Sequence, residues 1–249
     1  MSKRGQVTLF VIIAIIIVAL ALSFFFIFKE KIAIPRIDPK QIIETRTRMD
    51  YISEKSTYDI LYKIGEQGGY LDLPPQSLIT ENKQIAYSLY DNKNNLPSLS
   101  FIENEISDYT EKTIVFYLND YYRTNSTSSN INSTNFDFDN ISVQTIIQNE
   151  EIIIKTSLPT TIQGKNDETF HIDSYTTTVP FQFGYVYSIA KDITERRLRH
   201  QAIDESYFRN KALSVDVIPI DSTKIIYSLK KFDNANNKTF VFNVAFFEP

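Results

Sequence analysis

The chain opens with its most hydrophobic segment. Residues 6–28 (QVTLFVIIAIIIVALALSFFFIF) contain no charged side chain and follow a short basic tail at residues 1–5. About 20 apolar residues in a helix cross a hydrocarbon layer of about 30 Å, and a helix satisfies every backbone N–H and C=O in lipid. The run is too long for a cleaved secretory signal, and phenylalanines stand where a small-residue cleavage site would be. The pattern therefore predicts a retained transmembrane helix over 6–28.

Beyond the apolar segment, the pattern predicts a linker at 29–38 and a soluble domain at 39–249. Asp38 and Pro39 suit the N-cap and the first position of a helix. An apolar stripe favours a helix from there to about residue 66, and it consists of Met49, Ile52, Ile60 and Ile64. The glycines that end this helix are Gly65, Gly68 and Gly69. A short strand is expected at 84–90.

A second helix is predicted to begin at a capping box formed by Ser100 and Glu103. Apolar and small residues step by three and four along it and predict one buried face, made of Leu99, Ile102, Ile106, Tyr109, Thr113 and Phe116. Acidic residues fall largely off this stripe and are interpreted as a solvated face, namely Glu103, Glu105, Asp108 and Glu111.

The second half of the domain changes from helical to strand periodicity. Residues 124–140 (TNSTSSNINSTNFDFDN) are too polar to bury and predict a long exposed loop. Strands are expected at 141–147, 151–157, 169–183, 214–220 and 224–229, a helix at 185–200, and a last strand that buries Phe240, Phe242, Val244 and Phe246 on one face. Two or three helices followed by a mainly antiparallel sheet define an α+β class.

Charge and cysteine content exclude several functional classes. All 30 acidic residues lie after the apolar segment, against 26 Lys and Arg in the whole chain, so the domain is mildly acidic. Nucleic-acid binding needs a basic face, and it is set aside. The chain has no cysteine, which excludes disulfides, thiolate metal sites and cysteine nucleophiles.

Candidate chemistry is sparse in this sequence. His171 and His200 are far apart and are interpreted as solvated surface histidines. No zinc-protease, nucleophile-elbow, phosphate-loop or kinase motif occurs, and residues 137–148 lack the Gly and Glu of a calcium loop. We therefore predict no catalytic residue, no cofactor and no metal ligand, although a Ser–Lys or paired-carboxylate site would escape a sequence search. N-x-S/T sequons make four asparagines candidate glycosylation acceptors, namely Asn125, Asn132, Asn140 and Asn237.

Two features of the N-terminus favour opposite orientations of the predicted helix. The Lys and Arg residues that follow the apolar segment outnumber the two that precede it, which favours a cytoplasmic domain under the positive-inside rule. The run Lys3-Arg4-Gly5-Gln6, however, resembles the archaeal class III, prepilin-type signal. That resemblance implies cleavage between Gly5 and Gln6 and export of the domain. In pilins Glu usually stands at the fifth mature position, where this chain has Phe10.

Short segments along the chain resemble an uncharacterised group of archaeal single-pass membrane proteins. They are Gly5–Phe10, Gly68-Gly69-Tyr70, Leu96-Pro97-Ser98-Leu99, and Val179-Pro180 with Gly184-Tyr185. The resemblance implies the same architecture of one membrane helix and one folded domain, and it supplies no activity.

The leading hypothesis from these patterns is a membrane-anchored, non-enzymatic surface or envelope protein with a binding or structural domain. Its expected partners are membrane lipid and envelope proteins, and the domain is expected outside the cytoplasm. The alternatives are a membrane-tethered enzyme or processing factor, a pilin-like subunit, and an accessory subunit that faces the cytoplasm.

Overall fold

The computed structural model describes Val18 and residues 39–80, 83–125, 134–163, 169–209 and 211–248. Apart from Val18, the predicted membrane segment 6–28 and the linker 29–38 lie outside these residues. None of the helices within the described part combines the length and the apolar character needed to span a bilayer.

Helix α1 (Pro39–Glu66) forms as its apolar periodicity predicts. The expected stripe of Met49, Ile52, Ile60 and Ile64 is buried. The helix ends because Gly68 and Gly69 both adopt positive φ, and the Gly69 N–H donates to the carbonyl of Ile64 at 2.8 Å. This long helix packs against both sheets of the domain.

Helix α2 (Leu99–Asn125) begins with a different cap from the one predicted. The Phe101 N–H donates to the hydroxyl of Ser98 at 3.1 Å, so Ser98 rather than Ser100 satisfies the first turn. The Glu103 carboxylate is not used in a capping box. It accepts the N–H of Ile147 at 2.9 Å and so binds the helix to a neighbouring strand.

The buried face of α2 also differs from the prediction along its second half. Phe116 is 68% exposed, and Ile114 and Leu118 are buried instead. The expected stripe repeats every 3.5 residues, whereas a helix turns every 3.6 residues, so the stripe rotates away from the core along the helix. Ile102 and Ile106 face the main core, while Ile114 and Leu118 face a second one.

Two sheets complete the domain, and the α+β class is confirmed. The six-stranded sheet has the order β1-β2-β10-β9-β8 with β3 paired to β2. Its strands are β1 (Ser77–Ile79), β2 (Gln84–Tyr90), β3 (Lys93–Asn94), β8 (Ser214–Pro219), β9 (Lys224–Asp233) and β10 (Lys238–Phe247). All pairings are antiparallel except β2 with β10, so this sheet is mixed. Phe240, Phe242, Val244 and Phe246 are fully buried, as predicted.

The second sheet is built around one long strand, β6 (Ile152–Gln163). It pairs with β4 (Thr134–Phe136) and β5 (Ser142–Ile147) at successive positions along its length, and with β7 (Thr169–Val179) as well, always antiparallel. Two further helices are α3 (Phe183–Leu198) and the single turn α4 (Glu205–Phe208).

The predicted loop 124–140 is only partly a loop in the described residues. Its first two residues end α2, residues 134–136 form β4, and Phe138–Asn140 form a 3-10 turn, while residues 126–133 lie outside the described part. Residues 134–140 are ordered by apolar contacts. The rings of Phe136 and Phe138 stack with their centres 5.8 Å apart, and both pack against the second core.

Candidate functional site

The predicted site residues do not converge on one another. Gly5, Gln6 and Asn132 lie outside the described residues, and Asn125 is the last residue of α2. Asn140 is exposed and donates from Nδ2 to the Asp137 carboxylate at 2.8 Å. Asn237 is exposed in the turn between β9 and β10, with φ at 51°.

The groups singled out for acid–base or metal chemistry are also separate. His171 and His200 are both exposed, and the His171 ring nitrogen lies 3.1 Å from the Thr161 hydroxyl across the β6–β7 pair. Among the described residues, no three His, Asp or Glu side chains come together as a metal-binding group. Glu103 departs from the predicted solvated face because it is half-buried against β5.

A site that the sequence did not predict lies where β9 runs past its neighbour. Strand β9 pairs with β10 as far as Asp233, but its pairing with β8 stops at Lys230 opposite Ser214. Lys231, Phe232 and Asp233 are therefore paired on one side only among the described residues. We call this edge the β9 step. Alternate residues of β9 face β10, so the step leaves the backbone N–H and C=O of Phe232 without a neighbouring strand among the described residues.

The β9 step is held open by two side chains that bind Ala212, two residues before β8. The Ala212 N–H donates to the Tyr185 hydroxyl at 3.1 Å, and the Ala212 carbonyl accepts from Lys231 Nζ at 2.7 Å. Lys231 Nζ also lies 5.8 Å from the centre of the Tyr185 ring. Because both backbone groups of Ala212 are used in this way, the chain leaves the sheet before it can pair with Lys231 and Phe232.

An open groove of about 810 Å³ occupies the β9 step. The turn between β5 and β6 forms one wall through Glu150, so the groove lies where the two sheets meet. The turn is brought close by Gly184, since a Cβ at that position would lie 2.4 Å from the Gln148 carbonyl oxygen. Apolar surface comes from Phe181, which is buried, and from Phe232, which is 53% exposed.

Asp233 fixes the inner end of the groove. Its side chain is buried, at 5% exposure, and accepts hydrogen bonds from the Tyr62 hydroxyl at 3.0 Å, from Asn236 Nδ2 at 2.9 Å and from the Ala235 N–H at 3.0 Å. These bonds join the β9–β10 turn to α1. Burial, then the Asp233 carboxylate, raise the pKa of the Tyr62 hydroxyl, and the same two causes raise the pKa of Tyr58 to about 12.

The charges that line the groove nearly balance. Lys230 is paired with Asp216, and Asp233 is occupied by its three hydrogen bonds. Lys231 and Glu150 remain as one positive and one negative side chain, neither of which makes an ion pair with another described residue. Recognition in this groove would therefore depend on backbone pairing and apolar contact more than on net charge.

A second exposed surface lies on the middle of α1, at residues 48–55, and on the second half of α2. The Arg48 guanidinium lies 3.4 Å from the centre of the Tyr121 ring, and the Lys55 ammonium lies 5.3 Å from the centre of the Tyr117 ring. Tyr51 is exposed beside them. Tyrosines with basic side chains are typical of membrane–water interfaces, and this surface begins near the junction with the predicted linker.

No local signal in the sequence could have revealed the groove, because its residues come from four separate segments, 150, 180–182, 212–214 and 230–235. Comparison with known proteins gives no further guide, since no family model, curated protein or solved structure matches this chain.

Proposed function

We propose that this chain is a membrane-anchored, non-enzymatic surface or envelope protein whose folded domain binds a protein partner in the groove at the β9 step. The observation that carries the proposal is the three-residue strand edge at Lys231–Asp233, which is kept open by Tyr185 and Lys231 and is not covered by any strand in the described part of the chain. Exposed strand edges are usually shortened or covered in proteins, so an edge held open by specific bonds supports a binding role.

The membrane part of the proposal rests on the sequence. The apolar segment 6–28 has the length of a membrane helix and is separated from the domain by the predicted linker 29–38. The basic and tyrosine-bearing surface on α1 and α2 supports contact with lipid headgroups near that anchor, where each cation contributes about 1 kcal/mol.

Site-directed photocrosslinking tests the binding site. A photoreactive phenylalanine analogue replaces Phe232 in the full chain expressed in its own cells, and the matched control carries it at Phe116. Phe116 is 68% exposed, more than Phe232, but lies on α2, away from the groove. We expect a protein adduct of one discrete mass from position 232 and none from 116. Equal yields from both positions, or no adduct from either, would overturn the proposal.

Protease accessibility in intact cells tests the orientation. We expect digestion of the domain from outside, and an intact mass that lacks residues 1–5 if the chain follows the prepilin-type route through Gly5–Gln6. A protected domain of full length would instead support the cytoplasmic accessory subunit. Recovery of the cleaved chain in filaments would support the pilin-like subunit. The same mass measurement reports glycans on Asn125, Asn132, Asn140 and Asn237.

A membrane-tethered enzyme is the second candidate, and the observation that favours it is the buried Asp233 carboxylate beside two tyrosines of raised pKa at the end of an open groove. The three hydrogen bonds to Asp233 favour a structural role for it instead. Turnover of any substrate by the purified chain that is lost in Asp233→Asn while the fold is retained would establish the enzyme over the binding protein.

A further inference from the structure

The shape and chemistry of the β9 step point to one kind of occupant. Backbone groups at the edge of a strand are satisfied best by another extended chain, which adds to the sheet as a strand. The step offers three residues, a length of about 10 Å at about 3.3 Å per residue. We propose that the step binds an extended segment of the partner protein as a short added strand beside Lys231, Phe232 and Asp233, an inference that rests on the proposed binding function.

The contacts at the step favour a peptide strand over a small molecule or a charged ligand. Phe232 is exposed on one face of β9, while Phe181 lines the groove on its inner side. Side chains of an added strand point alternately to the two faces, so successive side chains would meet these two rings in turn. Two lysines and two carboxylates line the groove, so it has no net charge for an ionic ligand to follow.

The position of Ala212 determines whether the step is free to bind an added strand. The residue occupies the place from which β8 would continue along β9, and its N–H and C=O are bonded to Tyr185 and Lys231. Without those bonds, β8 is free to extend and pair with the step itself. An internal strand would then compete with any added one.

The test measures binding of a neutral hexapeptide, acetyl-Thr-Val-Thr-Phe-Thr-Val-amide with a fluorescent label, to the full chain in detergent micelles by fluorescence polarisation. Two control peptides have the same sequence but carry N-methyl groups on alternate backbone amides. One is methylated at the odd positions and the other at the even positions. These groups remove the donors of a strand edge and leave the side chains unchanged. We expect N-methylation in one register to weaken binding about 10-fold or more, the effect of losing one or two backbone hydrogen bonds. Hydrogen exchange at Phe232, whose N–H lies on the open side of β9, should slow when the unmethylated peptide binds.

Variants of the protein test whether the side chains that bind Ala212 are needed for peptide binding. We expect Lys231→Met and Tyr185→Phe each to weaken binding of the unmethylated peptide several-fold. The matched control Lys224→Met removes an ion pair with Asp221 on the same strand, outside the groove, and should leave binding unchanged. Circular dichroism confirms that each variant is folded before it is compared. A reduction by Lys224→Met equal to that by Lys231→Met would contradict the role of Ala212.

The outcomes separate this inference from the function on which it rests. Equal binding of methylated and unmethylated peptides overturns strand addition, even where crosslinking at Phe232 still identifies a partner in the groove. Absence of peptide binding together with a crosslinked partner also overturns it, since the occupant is then not an extended segment. Loss of both the crosslink and the peptide binding overturns the proposed function itself.

Discussion

Two buried serines on neighbouring helices are expected to respond oppositely to the same substitution. On α2, the hydroxyl oxygen of Ser107 accepts the N–H of Thr145 in β5 at 3.0 Å, and it lies 2.9 Å from the Thr145 hydroxyl. On α1, Ser53 is fully buried, and its hydroxyl has no hydrogen-bond partner among the described residues. The two sites share burial and helical backbone but differ in whether the hydroxyl is used.

The magnitudes follow from what each alanine leaves behind. Ser107→Ala leaves the Thr145 N–H unpaired in the interior, and an unsatisfied buried donor costs about 1–3 kcal/mol. Ser53→Ala removes an unpaired hydroxyl whose burial costs about 1–3 kcal/mol, and alanine is the better helix former by about 0.5 kcal/mol. We therefore expect the free energy of unfolding to fall by about 2 kcal/mol in the first variant and to rise by about 2 kcal/mol in the second.

Thermal and urea unfolding of the two variants, followed by circular dichroism in the same micelles, provides the assay. For a domain of this size, a loss of about 2 kcal/mol lowers the Tm by about 4–8 °C. Ser107→Thr, which keeps the hydroxyl, serves as a partial rescue. Destabilisation of similar size in both alanine variants would refute the reasoning, because burial alone would then explain the cost and the hydrogen bond from β5 would contribute nothing.

Three further predictions concern the packing of α1 against the six-stranded sheet. Gly65→Ala should destabilise the domain by several kcal/mol in urea unfolding, because the new Cβ would lie 2.4 Å from the Val241 carbonyl oxygen. Tyr62→Phe should cost about 1–3 kcal/mol, since it removes a hydrogen bond to the Asp233 carboxylate; no change would show that the bond is not formed in solution. The raised pKa values of Tyr58 and Tyr62 favour their neutral forms in the folded state, so stability should be full below pH about 10 and fall above it. An alkaline titration should show a smaller fall in Tyr62→Phe.

The elements predicted well from the sequence are those whose pattern is local and long. Helix α1 shows its apolar stripe and its terminal glycines within one segment, and β10 shows four alternating buried residues. Each pattern reports directly on a face that must be buried, so the local period is enough to place the element.

The features that the sequence did not predict depend on neighbours far away in the chain. Ser98 and Ser100 both suit an N-cap, and the choice follows from where the preceding segment is held, with the Pro97 carbonyl bonded to Tyr187 at 2.8 Å. Phe116 lies on the expected stripe, but the helix rotates it away from α1. The groove forms because β9 extends beyond β8. The start of β8 is set by the Tyr185 and Lys231 side chains that bind Ala212.

The groove and the predicted anchor belong to opposite ends of α1. The predicted anchor and linker precede Pro39, whereas Tyr62, which holds the groove through Asp233, comes about 35 Å further along the helix at about 1.5 Å per residue. Helix α2 runs back along α1, since its Tyr121 meets Arg48, so the sequon at Asn125 lies toward the anchor. The sequon at Asn237 instead lies in the turn that follows Asp233, at the rim of the groove. A glycan on Asn125 would therefore leave the groove open to a partner, while a glycan on Asn237 would obstruct it.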